Sequence, residues 1–493
     1  MTDPQQLSHA QQALWFLYRL APDAAVYNTG CALTVRSAVD LPALRSAVEA
    51  LAERHDMLRS VFQEVDGQAV RLVGERHPLG LEVRELPGTD PEGLAAAARA
   101  ALREPFRLER DGAFRFVLLR RGEADAVLLM AGHHIGTDAT SNWLIVRDLL
   151  HGYRRLTGGD ADGPTTEGPI ADGPTADGLA VAAPPPPKGS YADHVAKERT
   201  VLDSPRGARM EQHWHRVCAD GAPAELPTDR PRPASSSRTG ATHHLDLTDG
   251  RVEALRELAR GSGVSLFSVL LGTFQSLLHR STRQNGFLIG CPTTTRMSPA
   301  VREVVGNFVN TLVFRGDFDP GTTFRQAAEA ADRQVKAGLG AAVYPFELLT
   351  RTVNRPRTGA GSSLCRITFN LVGTATPEPL LRLLLDADGG RPAEFAGLTV
   401  APFELPQAEG QLDLAVSVRQ SASSLAVDFR YDVDLFDPAT VERFAGHFLR
   451  AVDAALADPD APVARLRLVD DAELAGLMGL GAEPAPRRRA RRG

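Results

Sequence analysis

Hydrophobic and polar positions along the chain switch repeatedly between two periods. Residues 41–54, LPALRSAVEALAER, place Leu41, Leu44, Val48 and Leu51 on one side at helical spacing. Residues 61–73 alternate as strands around Asp66-Gly67, a turn signal. Asp90-Pro91 reads as a cap followed by a first-turn proline, opening an Ala-rich helix over 92–102. Segments 114–120 and 126–131 predict paired strands, the second apolar throughout and therefore fully buried, and helical spacing resumes over 142–156. The alternation recurs further on. Helices are predicted over 251–259, 265–278, 324–338 and 441–455, and strands over 286–291, 308–314, 366–372 and 424–431. Strands and helices mix in both halves, so each half reads as an α/β sandwich.

One break interrupts the pattern. Residues 157–190, TGGDADGPTTEGPIADGPTADGLAVAAPPPPKGS, hold almost no large apolar side chain and repeat ADGPT at 161–165 and 171–175. Such a stretch cannot bury enough surface to order itself, and its proline run favours extended backbone. It is expected to be a disordered linker or exposed loop between an N-terminal lobe, 1–187, and a C-terminal lobe, 188–475. The last residues, 476–493, end in RRRARRG and are expected to form a flexible, solvated tail.

Composition narrows the function classes. The 493 residues are too many for one ordinary core, and 43% hydrophobic with 24% charged residues excludes disorder for the bulk of the chain. A net charge of -6 offers no overall basic field for nucleic acid or an anionic membrane. The polar start, MTDPQQLSHAQQALW, lacks the basic and apolar blocks of a secretory signal, and the longest apolar runs are far short of the roughly 20 residues a membrane span needs. Cys31, Cys218, Cys291 and Cys365 stand far apart with no metal-ligand spacing, which predicts free thiols in a reducing compartment and no metal site. A cytoplasmic protein is expected.

The chemistry concentrates in AVLLMAGHHIGTDATSNW, residues 126–143. A buried strand ends at Ala131-Gly132, and His133, His134 and Asp138 follow before a helix. A strand end held by a rigid sheet is a common position for catalytic groups, and histidine supplies a base near neutral pH. Asp138 can cap the following helix or enter an ion pair. A bare histidine pair carries little: 13 histidines in the chain give about 0.3 adjacent pairs by chance, and a second pair, His243-His244, lies in an alternating strand-like stretch. The aspartate at the fixed distance makes the first pair specific. His213 and His215 flank Trp214 with no carboxylate or thiol beside them to complete a ligand set and read as packing. Ser141 stands outside any nucleophile-elbow context and is not read as a nucleophile.

HHIGTDA resembles the HHxxxDG signature of nonribosomal peptide synthetase condensation domains, within the chloramphenicol acetyltransferase-like superfamily. Six further segments appear in the family's order: the stretch from Leu7 to Asn28, RHDMLRSVF (54–62), SYADH (190–194), VVGNFVNTLVFR (304–315), YPFELL (344–349), and the region from Asn354-Arg355 to Phe369-Asn370. The resemblance implies two acetyltransferase-like α/β lobes forming a V-shaped pseudodimer with a central tunnel. It implies His134 as the catalytic histidine, His133 as support for its loop, and Asp138 paired with Arg296. Gly136, Ala139, Asn310 and Asn370 would line the substrate tunnel. The signature's last glycine is Ala139 here, whose methyl group could alter acceptor choice.

The activity so implied is condensation of an acyl or aminoacyl thioester, held on the phosphopantetheine arm of an acyl or peptidyl carrier protein, with an amine or alcohol. The product would be an amide or ester of a natural-product pathway. No bound cofactor is expected, since the arm belongs to the substrate carrier, and the chain is expected to be a monomer, with no nucleic-acid or membrane partner. Thioester aminolysis needs little covalent help, because effective concentration in a shared site can supply roughly 7–11 kcal/mol. A single histidine then suffices without a Ser-His-Asp triad. No adenylation motif or carrier serine site is found, so a stand-alone enzyme is expected. The alternatives are a CoA-dependent O- or N-acyltransferase of the same superfamily and a non-catalytic recruitment module.

Overall fold

The structure is a computed structural model, and it describes residues 4–75, 79–158, 184–233, 239–248, 250–353, 364–373, 380, 383, 391–405, 412–420 and 424–469. Most of the 157–190 break, Asn354-Arg355 and the Arg-rich tail lie outside the described residues. The first half of the chain runs β1 (Gln5–Gln6), α1 (His9–Leu20), β2 (Asn28–Val35), α2 (Leu41–Arg54), β3 (Ser60–Val65), β4 (Gln68–Val73) and β5 (Leu81–Glu85). It continues through α3 (Pro91–Arg103), β6 (Phe114–Gly122), β7 (Asp125–His133) and α4 (Ala139–Leu156). The second half opens with α5 (Tyr191–Leu202), α6 (Pro205–Cys218), β8 (Gly240–Leu247), α7 (Arg251–Ser262), α8 (Leu266–Thr282), β9 (Gly286–Thr294) and β10 (Val309–Asp317). Then follow α9 (Phe324–Gly340), α10 (Phe346–Thr352), β11 (Ile367–Gly373), β12 (Ala393–Phe395), β13 (Leu398–Pro402), β14 (Leu414–Gln420), β15 (Leu425–Asp432) and α11 (Pro438–Ala457).

Two six-stranded sheets organise these elements, in the orders β12-β13-β2-β7-β6-β5 and β10-β9-β11-β14-β15-β8, beside a small β1-β4-β3 sheet. The central strand β7 is buried on both faces, as its apolar run predicts. Leu128 and Met130 join the core under α2 and α4, and Val127 and Leu129 pack with Ala98 and Ala101 of α3 on the other side. In the second lobe α8 is buried without interruption from Ser268 to Leu278, and it packs with Phe369, Phe429 and Phe448. Among the described residues no single helix is long and apolar enough to cross a membrane.

Local signals set many boundaries. Asp40, Asp90 and Asp138 each accept a backbone N–H as helix caps, at Ala43, Gly93 and Ser141. The cap at Asp138 starts α4 three residues before the predicted 142. Asp66 and Gly67 both adopt positive φ, 50° and 75°, in the hairpin turn between β3 and β4.

The lobes are interlocked. β12 and β13 come from the second half yet add to the first sheet, with Val400 opposite Val35. Tyr191, Val195, Val304 and Phe308 are buried in the first lobe's core as well. A division at 187/188 thus leaves several pieces of the second segment on the first lobe's side.

Candidate active site

β7 delivers His133 and His134 to the edge of the first lobe, and four short hydrogen bonds define the loop that follows. The His133 amide donates to the Ala113 carbonyl and the His134 amide to the Tyr27 carbonyl, each at 2.8 Å. The Gly136 amide returns to the His133 carbonyl at 2.9 Å, and the Gln11 side chain donates to the Ile135 carbonyl at 2.8 Å. Gly136 is buried against Ala113 and Phe114, which would lie 3.0 and 3.2 Å from an added Cβ, so this glycine serves close packing of the loop.

The two histidines have different surroundings. His133 is buried among the rings of Tyr18, Tyr27 and Phe106, and its Nδ1 accepts the Ile135 amide at 3.1 Å. Burial, with the neighbouring His134 second, pushes its pKa down to about 3. It is a neutral structural acceptor. His134 is half-buried, and its Nδ1 lies 2.9 Å from the Thr137 carbonyl. A carbonyl oxygen only accepts, so Nδ1 carries the proton and Nε2 presents its lone pair. Burial lowers the His134 pKa, with the Thr137 contact and the Asp138 charge partly opposing. The ring is therefore a neutral base at physiological pH.

Asp138 is buried and tied on both oxygens. Oδ1 accepts the Ser141 amide at 2.7 Å, Oδ2 the Phe308 amide at 3.0 Å, and Arg296 Nη2 reaches them at 3.2 and 3.3 Å. The predicted Asp138–Arg296 pair thus exists. Arg296 also donates to the carbonyls of Val301 and Val304, at 2.7 and 2.5 Å, and its guanidinium lies 4.0 Å from the Phe308 ring centroid. Ser141 Oγ donates to the Gly306 carbonyl and accepts from Gly306 N and Arg296 Nη2. This hydroxyl is fully engaged in joining α4 to the 296–308 loop, consistent with its rejection as a nucleophile.

Tyr191 and His194, from SYADH, sit under the same loop. Tyr191 donates to the Asn307 carbonyl at 2.7 Å and contacts Ser8 Oγ at 3.1 Å. His194 lies 4.6 Å from the Phe308 ring, and burial, then Arg296, lowers its pKa to about 4.

The expected tunnel residues fall in different settings. Ala139 is exposed at the first position of α4 and has no positive φ, so the backbone there makes no demand for glycine. Asn310 is buried on β10. It donates to the Ala342 and Tyr344 carbonyls, both at 2.8 Å, and accepts the Thr311 and Phe346 amides. Its polar atoms are spent on clamping the 341–346 loop. Asn370, on β11, keeps a buried Oδ1 without a hydrogen-bond partner. His244 lies on β8 and pairs with Asp428 at 2.7 Å, while His213 and His215 lie on α6. The four cysteines are free. Among the described residues no cluster of three or more His, Cys, Asp or Glu side chains is arranged to hold a metal ion.

Sequence reasoning missed the backbone acceptors that fix the imidazole, above all the Thr137 carbonyl, because a carbonyl carries no residue signature. It also missed the role of Ser141 in joining the lobes.

Comparison with known proteins agrees with this architecture. The phosphinothricin tripeptide synthetase PhsB of Streptomyces viridochromogenes is 31% identical over 477 residues, covering 94% of this chain and 37% of that protein. A linear gramicidin synthase of Brevibacillus parabrevis is 30% identical over 477 residues, covering 95% of this chain and 6% of that protein. The chain thus spans well under half of either relative. Among solved structures, a starter condensation domain of rhizomide synthetase, a mutant in complex with C8-CoA and Leu-SNAC, superposes with a TM-score of 0.75 at 22% identity, covering 95% of this chain and 98% of that one. The X-domain from teicoplanin biosynthesis, solved in complex with OxyB, gives 0.79 at 21% identity, covering 96% and 97%. The family model described as Condensation domain matches residues 1–167 and 179–478, and the chain belongs to that family.

Proposed function

We propose that the chain joins a carrier-tethered acyl or aminoacyl thioester to an amine, with His134 as the base. The observation that carries this reading is the His134 imidazole itself, with Nδ1 held by the Thr137 carbonyl and Nε2 left as a free acceptor. In the reaction the amine attacks the thioester carbonyl carbon, and its proton passes to His134 Nε2 as the C–N bond forms. Collapse of the tetrahedral adduct breaks the C–S bond, and the departing pantetheine sulfur recovers the proton from the imidazolium. Asp138 and Arg296 act through the loop they hold and make no contact with the reacting atoms. An alcohol acceptor would follow the same path to an ester. The phosphopantetheine arm enters as part of the substrate, and acyl or peptidyl carrier proteins are the proposed partners.

A second reading is a recruiting module that binds a partner protein without turnover. The similarity to the X-domain solved with OxyB favours including it. The test is an assay of the purified chain with acyl-loaded, pantetheinylated carrier, acyl-CoA as a parallel donor, and a panel of amines and alcohols, read by mass spectrometry. Amide formation is expected from the carrier donor, and His134→Ala should lower it by roughly 10²–10⁴-fold while retaining the fold. Full activity in a folded His134→Ala would overturn the catalytic assignment. Equal turnover with acyl-CoA would favour a CoA-dependent acyltransferase, and partner binding without product would favour the recruiting module.

A further inference from the structure

The His134 loop contains a buried polar chain that the mechanism above does not use. Thr137 Oγ1 donates to Asn142 Oδ1 at 2.6 Å, and Asn142 Nδ2 reaches Thr29 Oγ1 on β2 at 3.4 Å. Thr137, Asn142 and Thr29 are all buried. Thr29 stands opposite Gly132 across the β2–β7 ladder, and the Thr137 methyl group occupies the space beside Gly132, where an added Cβ would meet it at 2.9 Å. The Thr137 side chain is therefore wedged between a strand and a helix. Its peptide carbonyl accepts the His134 Nδ1 proton at 2.9 Å, with the backbone of His134 itself a weaker second contact of the ring.

We propose that Thr137 and Asn142 are positioning residues that set the tautomer of His134. The inference rests on His134 serving as the base, and it adds how the base is kept in its working form. A free histidine side chain favours the proton on Nε2, which would block the lone pair the reaction needs. The Thr137 carbonyl works against that preference, and it can do so only while its orientation is fixed. Orientation comes from the Thr137 hydroxyl, which donates to the Asn142 amide and also lies 3.3 Å from the Asp138 carbonyl; the loop's other ties are the Gly136 turn, the Gln11 contact and the Ile135 amide on His133 Nδ1. None of those three ties touches the Thr137 carbonyl. Asn142 belongs to α4 and also donates its backbone amide to the Asp138 carbonyl at 2.9 Å, so the amide acceptor is held by the helix start.

The test uses the full chain with histidine ring nitrogens labelled with ¹⁵N, the His134 resonances being assigned with His134→Ala. In the parent protein His134 should show a protonated Nδ1 and an unprotonated Nε2. Thr137→Val keeps the shape and removes the hydroxyl. It should move the signals toward the Nε2-protonated form and lower kcat roughly tenfold with KM little changed, a fraction of a general base's usual contribution. Thr137→Ser should restore both. Asn142→Leu, which removes the acceptor at similar volume, should reproduce the valine variant and serves if that variant does not fold. A folded Thr137→Val or Asn142→Leu with the parent tautomer would overturn the proposal, whereas a shifted tautomer with unchanged kcat would overturn the reading of His134 as the base. The tautomer is read without turnover, so it decides the positioning role even if His134→Ala retains activity and the catalytic reading fails.

Discussion

The Ile135 amide donates to Nδ1 of His133, whereas Nδ1 of His134 gives its own proton to the Thr137 carbonyl, so two adjacent histidines carry opposite tautomers. Their responses to acid differ accordingly. The lowered pKa of His134 keeps it neutral below its ordinary value of 6.5, so the acid limb of kcat/KM is expected to fall below pH 6.5. For His133 the folded pKa of about 3 lies under the unfolded value of 6.5. Between those limits the unfolded chain binds a proton that the folded chain refuses, so stability is lost as pH falls through the window, at up to about 1.4 kcal/mol per pH unit. His133→Asn should be less stable than the parent near neutrality yet lose stability less steeply on acidification, which urea unfolding at a series of pH values would show. An equal slope for both proteins would remove His133 as the source. At this scale the histidines and Asp138 were legible because their residue types announce the chemistry. The groups that give the two histidines opposite tautomers are backbone atoms and partners from distant strands, which a sequence motif does not display.

Caps and periodicity made most of the elements legible, since each depends on residues a few positions apart. The start of α3 follows from Asp90-Pro91, and the turn between β3 and β4 from Asp66-Gly67. The hairpin β12–β13 was not legible. Its strands are three and five residues long, its turn is Ala396-Gly397 in place of the favoured Asn-Gly or Asp-Gly, and its anchor, the Thr399 amide on Ser37 Oγ, spans 362 positions. No local window contains that partner. The 296–308 loop is the element on which the site leans most. Arg296→Leu would leave the Asp138 carboxylate buried without its cation and two carbonyls, those of Val301 and Val304, without their donor. A loss of roughly 3–5 kcal/mol is expected in chemical unfolding. Adding Asp138→Asn should then cost less than it does in the parent chain, because the uncompensated charge is gone. Strictly additive losses would show that the two side chains do not act as a pair.

At the scale of the molecule, the two α/β lobes and their mixed sheets were readable from the recurring alternation of periods, but their interlocking was not. The first lobe depends on the second half of the chain for β12 and β13, for Tyr191 and Val195, and for the loop that binds Asp138. Residues 1–187 expressed alone would expose the edge of β2 and the core surfaces that Leu398 and Val400 cover. They are expected to show no cooperative thermal transition, and mixing with 188–493 should restore one. A sharp transition in the isolated fragment would show that the crossing strands are dispensable.

That hairpin also sets a rule for recombination among related proteins. A hybrid joined near residue 187 would inherit the His133–Asp138 loop from one parent and the edge strands of the same sheet from the other. The fit between Leu33–Val35 and their partners at 400–402 would then be untested by either parent's history. The unit that can be exchanged intact on the first lobe is therefore discontinuous, residues 1–158 together with 391–405, the start of α5 that carries Tyr191 and Val195, and the 296–308 loop, and sequence similarity between parents at those stretches should predict which hybrids fold better than similarity over the chain as a whole.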